Sequence, residues 1–238
     1  KQFQEIPAVP AMNTSGSGFA VVSLFYFEWA FLEPWLDHYR NQGAGHFFLY
    51  FNGNRIPSDL ARTIKKQTDV TFMLWPFSFA TWSFRKNGGK PTMMTQVICF
   101  QHALELIRQR TNFSHVLVVD LDEYIIGSKR IVEYAEQGVN EVSFSPVWSK
   151  NFNGFCNGEK PLLYAEANFE PWRRVKSLVN VSYIRHLDIH RIYHEENMVC
   201  DGLMLHFLDV PKFGFRAHSR NNSDAVFDFV DIDNHDVG

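Results

Sequence analysis

Between Phe19 and Tyr124 the chain alternates four times between an almost uninterrupted apolar run and a stretch with helical spacing. The runs are "FAVVSLFYF", "HFFLYFN", "DVTFMLWPF" and "HVLVVDLDEY". A strand apolar at successive positions must be covered on both faces, and parallel strands need crossover helices that supply such cover. The alternation therefore predicts an α/β fold: a Rossmann-like, mostly parallel central sheet with helices on both faces. The segments between the runs agree. "AFLEPWLDHYRNQG" sets Leu32, Leu36 and Tyr39 at helical spacing, tolerates Pro34 in its first turn and stops at Gly43. "PSDLARTIKKQ" offers Ser58 as a cap. A long helix is predicted over about Thr92 to Arg110, with Val97, Ala103, Leu104 and Ile107 on its apolar side.

From Glu141 the pattern changes to short strand-like pieces, "EVSFSPVW", "PLLYAEANF", "RRVKSLV", "HLDIHRI" and "GLMLHFLDV", which read as a mixed C-terminal extension of the same sheet. Residues 1–18, with Pro7, Pro10 and "MNTSGSG", read as an arm or linker. With no repeat and no internal linker, residues 19–238 are expected to be one domain with two lobes, at about 19–127 and about 128–238. A length of 238 residues is ample for a core. The net charge of -3 gives no general pull on nucleic acid or anionic lipid. No apolar stretch reaches the roughly 18 to 20 residues of a membrane span. The three cysteines are too scattered for a zinc site or a disulfide framework. Sequons at Asn13, Asn112, Asn180 and Asn221 leave the compartment open, cytoplasmic or lumenal. The 16% aromatic content suits flat apolar surfaces, for which sugar faces are one natural partner.

The chemistry concentrates in "VLVVDLDEY". In an open parallel sheet the ligand crevice lies beyond the carboxyl ends of the strands, where this run places Asp120, Asp122 and Glu123. If the strand continues through them, Asp120 and Asp122 aim the same way and suit a hard divalent cation, Mn2+ or Mg2+, whose shell substrate phosphates and water complete. Glu123 is expected to orient its neighbours. Acids at this place also serve simply to open a turn. Three adjacent carboxylates repel one another, and a cation would relieve that conflict.

The blocks "FYFEWAFLEPWLDHYRNQGAGHFFLYFNG", "LVVDLDEYI", "WSKNFNGF", "RRVKSLV", "DIHRI" and "LMLHFLD" are similar, in order and spacing, to the nucleotide-sugar glycosyltransferases of family 92 and their family-2-like relatives of GT-A fold. The resemblance covers about Phe19 to Val210. It implies that Asp120 and Asp122 hold Mn2+ or Mg2+ on the diphosphate of a nucleotide sugar, usually a UDP-sugar, and that the first strand and the loop after the second receive base and ribose. It also implies inversion at the anomeric centre, a carbohydrate acceptor and a late histidine on the metal. His206 is the first candidate for that histidine and His190 the next. On the residues alone, His206 inside "GLMLHFLDV" reads as a core histidine, and the intervals between His186, His190 and His194 are too β-rich for a helical metal face. "FYFE" departs from the usual Lys-Asn-Glu, and "NFNGF" from a usual Phe-Gly-Ser stretch.

Attack by an acceptor hydroxyl requires a base, for which Glu166 and then Asp188 are the candidates, each also readable as a solvated strand-edge charge. Glu28, Asn52 and Asn54 are candidates for base or ribose, with ordinary turn chemistry as the alternative. Arg85, Lys86 and Lys90 lie in a Gly-containing loop that suits closure over diphosphate, or plain solvation. Gln96 is expected to face the crevice. Trp148, Phe152 and Phe155 are candidates for an acceptor platform or for core. Two other classes remain open at this level: a carbohydrate-binding module on a decayed transferase fold, and a metal-dependent phosphoesterase. The second lacks a further dense cluster of acids and histidines.

Overall fold

The apolar runs form the parallel middle of one large sheet. The computed structural model describes residues 4–6, 18–26, 28–77, 94–164, 175–185, 187, 199–207 and 229–230. In chain order the elements are β1 (Gln4–Ile6), β2 (Phe19–Phe25), α1 (Leu32–Asn41), β3 (Ala44–Phe51), β4 (Ile56–Pro57), α2 (Ser58–Lys65), β5 (Val70–Leu74), α3 (Met94–Arg110) and β6 (His115–Val118). They continue with β7 (Glu123–Ile126), α4 (Ile131–Glu136), β8 (Glu141–Lys150), α5 (Phe152–Cys156), β9 (Leu162–Tyr164), β10 (Lys176–Asn180), β11 (Val199–Phe207) and β12 (Phe229–Val230). The sheet order is β1-β5-β3-β2-β6-β10-β8-β11-β7, with β9 beside β8; β4 and β12 form a separate pair.

Strands β5, β3, β2 and β6 are mutually parallel. β10 then enters antiparallel between β6 and β8, and β7 pairs antiparallel with β11, so the second half is the mixed extension. Every residue of β2 is buried, and its side chains alternate between two cores. Phe19, Val21 and Phe25 join Leu32, Trp35, Leu36 and Tyr39 of α1 on one face. Ala20, Val22 and Leu24 join Phe100, Ala103, Leu104 and Ile107 of α3 on the other. This two-sided burial is the physical reason the strand carries no polar alternation.

Gly43 ends α1 as expected. Its φ is +93°, and a Cβ there would lie 2.4 Å from Cβ of Val132 in α4, so this turn admits no side chain.

One expectation needs correction, the single strand over "HVLVVDLDEY", and two features are additional. The N-terminal arm contributes β1, which pairs antiparallel with β5. The run "HVLVVDLDEY" is not one strand: β6 ends at Val118, Leu121 and Asp122 turn, and β7 begins at Glu123 on the far side of β11. Helices α4 and α5, of 6 and 5 residues, escaped the reading because so few turns show no period. "HLDIHRI" lies mostly outside the described residues.

Two histidines are built into this frame as neutral rings. His38 of α1 meets the Ile125 carbonyl at 3.0 Å, and His46 of β3 meets the Thr71 hydroxyl at 2.8 Å. Burial pulls each down to about 4. An unfolded chain protonates them near pH 6.5, so between about 6.5 and 4 it binds more protons than the native chain, and stability falls by about 1.4 kcal/mol per pH unit for each. Glu123 acts oppositely. Burial and then Asp120 raise it to about 7, so from there down to its ordinary 4.5 the native chain takes up the extra proton. His115, also lowered by burial, adds to the acid loss. Urea unfolding should therefore show the protein weaker by at least about 2 kcal/mol at pH 4.5 than at pH 6.5, and His46→Gln should shrink that difference by one histidine's share. A flat profile would contradict the neutral burial of these rings.

Candidate active site

The acidic segment lies beyond the carboxyl end of β6, and helix α1 holds its backbone. Trp35, His38 and Tyr39 are three and four positions apart and share one helix face. Trp35 Nε1 donates to the Asp120 carbonyl at 2.9 Å. Tyr39 Oη donates to the Glu123 carbonyl at 3.0 Å and accepts the Ile125 N–H at 3.3 Å. The turn itself closes reciprocally: Glu123 N–H reaches the Asp120 carbonyl at 3.1 Å, and Asp120 N–H reaches Glu123 Oε2 at 2.8 Å.

Because of this turn, the two aspartates do not project by strand alternation as expected, and each meets a different side chain. Asp120 leaves 31% of its side chain exposed; its Oδ2 lies 3.2 Å from Lys176 Nζ, and its Oδ1 lies 3.4 Å from Gln96 Nε2. Asp122 is buried, with its Oδ2 3.0 Å from His206 Nε2. Glu123 is buried between the two, 3.1 Å from Lys176 Nζ through Oε2 and 3.8 Å from His206 Nδ1 through Oε1. Sheet register explains the meeting. β10 runs antiparallel to β6, so its first residue, Lys176, arrives where β6 ends, while β11 sets His206 opposite Glu123 on one side and Trp148 on the other. The Trp148 ring lies 4.4 Å from the imidazole between centroids.

Lys176 was not anticipated, and it changes the electrostatic argument. Burial alone would lower its pKa, but Asp120 and Glu123 outweigh burial and raise it, so it is a buried ammonium. The repulsion within the acid cluster is thus already opposed by the chain's own charge, and a cation is not needed to explain the cluster. A signal was present in "RRVKSLV": Lys176 is in phase with Leu178, which is wholly buried, so alternation assigned the lysine to an inward position.

The other candidates divide. Gln96 is buried and faces Asp120. Glu28 opens a short 3-10 turn and accepts the Tyr26 N–H at 3.1 Å. Asn52 spends its side-chain donors on the Trp75 and Phe77 carbonyls at 2.9 and 2.8 Å, tying two strand ends together, which is turn chemistry. Asn54 is exposed. Phe152 and Phe155 pack with Tyr124 and Phe207 and are core, correcting the platform reading for both. Glu166, Asp188, His190, Arg85, Lys86 and Lys90 lie outside the described residues.

Among the described residues no three His, Cys, Asp or Glu side chains converge as a ready-made metal cage. The Asp122–His206 pair nevertheless fits two adjacent positions on an octahedral ion: ligands about 2.1 Å from such an ion stand about 3.0 Å apart, which is the separation found.

The acids and a histidine gather beyond the parallel strands of an α/β sheet covered on both faces, a GT-A-like fold. A family model described as glycosyltransferase family 92 matches residues 18–228, and the chain belongs to that family. No curated protein matches the sequence. Among solved structures, HddC from Yersinia pseudotuberculosis is similar at 9% identity, covering 78% of this chain and 92% of its own, with a TM-score of 0.43. The bifunctional glycosyltransferase WbbM in its apo form is similar at 12% identity, covering 74% of this chain and 34% of its own, with a TM-score of 0.33. Among the described residues no helix is long and apolar enough to cross a membrane.

Proposed function

We propose that this glycosyltransferase moves a sugar from a nucleotide-sugar donor, a UDP-sugar, to a carbohydrate hydroxyl with inversion, using a divalent cation at Asp122 and His206. The observation that carries the reading is the 3.0 Å Asp122–His206 pair beside a partly exposed Asp120 at the carboxyl edge of the sheet. In this reading residues 19–127 are the donor half of one domain and residues 128–238 its acceptor half. Asp120, steadied by Gln96, receives the donor. Glu28 borders the same edge on the β2 side. Arg85 and Lys90 are assigned to the diphosphate, and Glu166 or Asp188 to the acceptor proton.

When bound, Mn2+ or Mg2+ supplies Lewis-acid neutralisation of the leaving diphosphate. The chain's residues do the rest. The acceptor oxygen forms its bond to the anomeric carbon as the bond from that carbon to the diphosphate oxygen breaks, and the hydroxyl proton passes to the carboxylate base. The Trp148 ring packs against the His206 imidazole, tilted 45° to it. Burial of Asp122 and Glu123 limits water around the charges and strengthens their fields.

Linkage offers the test. If cation and nucleotide occupy one site, each raises the affinity of the other, so Mn2+ and UDP together should raise the melting temperature by more than the sum of their separate effects. At 100-fold excess over Kd the stabilisation amounts to about 2.7 kcal/mol. GDP and ADP serve as comparison ligands. Purely additive shifts with every nucleotide would remove the main support for the donor site.

A further inference from the structure

We infer that Lys176 is a positioning residue that fixes Asp120 for the donor: it grips one carboxylate oxygen, Oδ2, while the other, Oδ1, faces Gln96. The inference rests on the reading of Asp120 as a donor-site group. The geometry has three parts. Lys176 is 1% exposed, so its ammonium touches no substrate. Both of its partners, Asp120 Oδ2 at 3.2 Å and Glu123 Oε2 at 3.1 Å, belong to the acidic turn. The remaining Asp120 oxygen, Oδ1, is the one that faces Gln96.

A buried ammonium is a poor way to stabilise a fold. Its desolvation offsets much of the attraction it gains, and a well-packed apolar side chain of similar size often serves stability as well or better. What the lysine adds is directional. Glu123 Oε2 also accepts the Asp120 N–H at 2.8 Å, so the backbone and the carboxylate of Asp120 are both tied to one small charged unit. Asp120 thereby enters donor binding with its rotamer set, and the ordering cost is already met in the free protein. Without the ammonium, Asp120 Oδ2 loses its partner at 3.2 Å, and the partly exposed carboxylate is no longer held in one rotamer.

The experiment is calorimetric titration of UDP in the presence of Mn2+ into the wild type, Lys176→Met, Asp120→Asn and the double variant, with melting temperatures read alongside. Lys176→Met is expected to weaken UDP binding at least tenfold. If the lysine acts through Asp120, the double variant binds within about twofold of Asp120→Asn alone, whereas a lysine acting only on the fold would add its loss to that of Asp120→Asn. Should Lys176→Met fail to fold, Glu123→Gln/Lys176→Met removes one charge of each sign, and the same comparison is made on that background. UDP binding within twofold of wild type in Lys176→Met or in Glu123→Gln/Lys176→Met, or additive losses, overturns the inference while leaving the donor site standing. Equal binding by wild type and Asp120→Asn, or no binding by wild type, overturns the donor reading of Asp120 itself and this inference with it.

Discussion

Asp122→Asn should abolish sugar transfer and uncouple Mn2+ from nucleotide binding, with a fall in rate of about 10²–10⁴, the equivalent of the several kcal/mol that a cation contributes at a leaving diphosphate. The substitution keeps shape and volume, so its effect isolates charge. An amide oxygen is a weaker partner for a hard cation than a carboxylate, and the substitution removes the carboxylate charge 3.0 Å from His206 Nε2. Fold stability of the metal-free protein should stay within about 1 kcal/mol, because the weakened pair is offset by relief of repulsion from Glu123. Transfer assays with Mn2+ and urea unfolding without it measure the two halves. A drop of more than about 3 kcal/mol in stability would instead mark Asp122 as a structural anchor.

Trp35→Ala should be the most destabilising single change in α1, costing about 3–5 kcal/mol as expected for a large buried aromatic. Trp35 is wholly buried, meets Tyr39 edge-on at 4.9 Å and lies 5.7 Å from Phe47 between ring centroids. Its indole N–H is also the group that holds the Asp120 carbonyl. Trp35→Phe separates these roles. It keeps most of the packing but removes one of the two donors to the Asp120 carbonyl, which retains the Glu123 N–H, at about 0.5–1.5 kcal/mol, and it should weaken UDP binding with Mn2+ because the turn carrying Asp120 is loosened. Urea unfolding of both variants and UDP titration of the Phe variant provide the check. Unchanged nucleotide affinity in Trp35→Phe would show that the helix supports the sheet without setting the acid turn.

The acid cluster shows how far local reading reaches. Asp120, Asp122 and Glu123 stand out as a candidate site because carboxylates at the mouth of an apolar strand are chemically costly. Their geometry was not recognisable: a continuous strand and a strand followed by a turn have the same apolar run. What chose the turn was long-range, namely the Trp35 and Tyr39 bonds from α1 and the room for β7 beside β11. His206 shows the reverse. On its own it reads as a core histidine, and family resemblance had to raise it. The register of β11 then brings it to Asp122, 84 residues earlier in the chain. Asn52 and Phe152 looked as suitable for ligand contact as Gln96, and only their partners tell them apart.

By itself the sequence determined the parallel middle of the sheet and its two-sided burial, because the period of apolar residues is a local property that each strand and helix carries within it. The tertiary structure alone decided how the acids are balanced. Pairing a buried ammonium with Asp120 and Glu123, and an imidazole with Asp122, depends on strand order and register, since Coulomb attraction acts on distances through space that no spacing along the chain encodes.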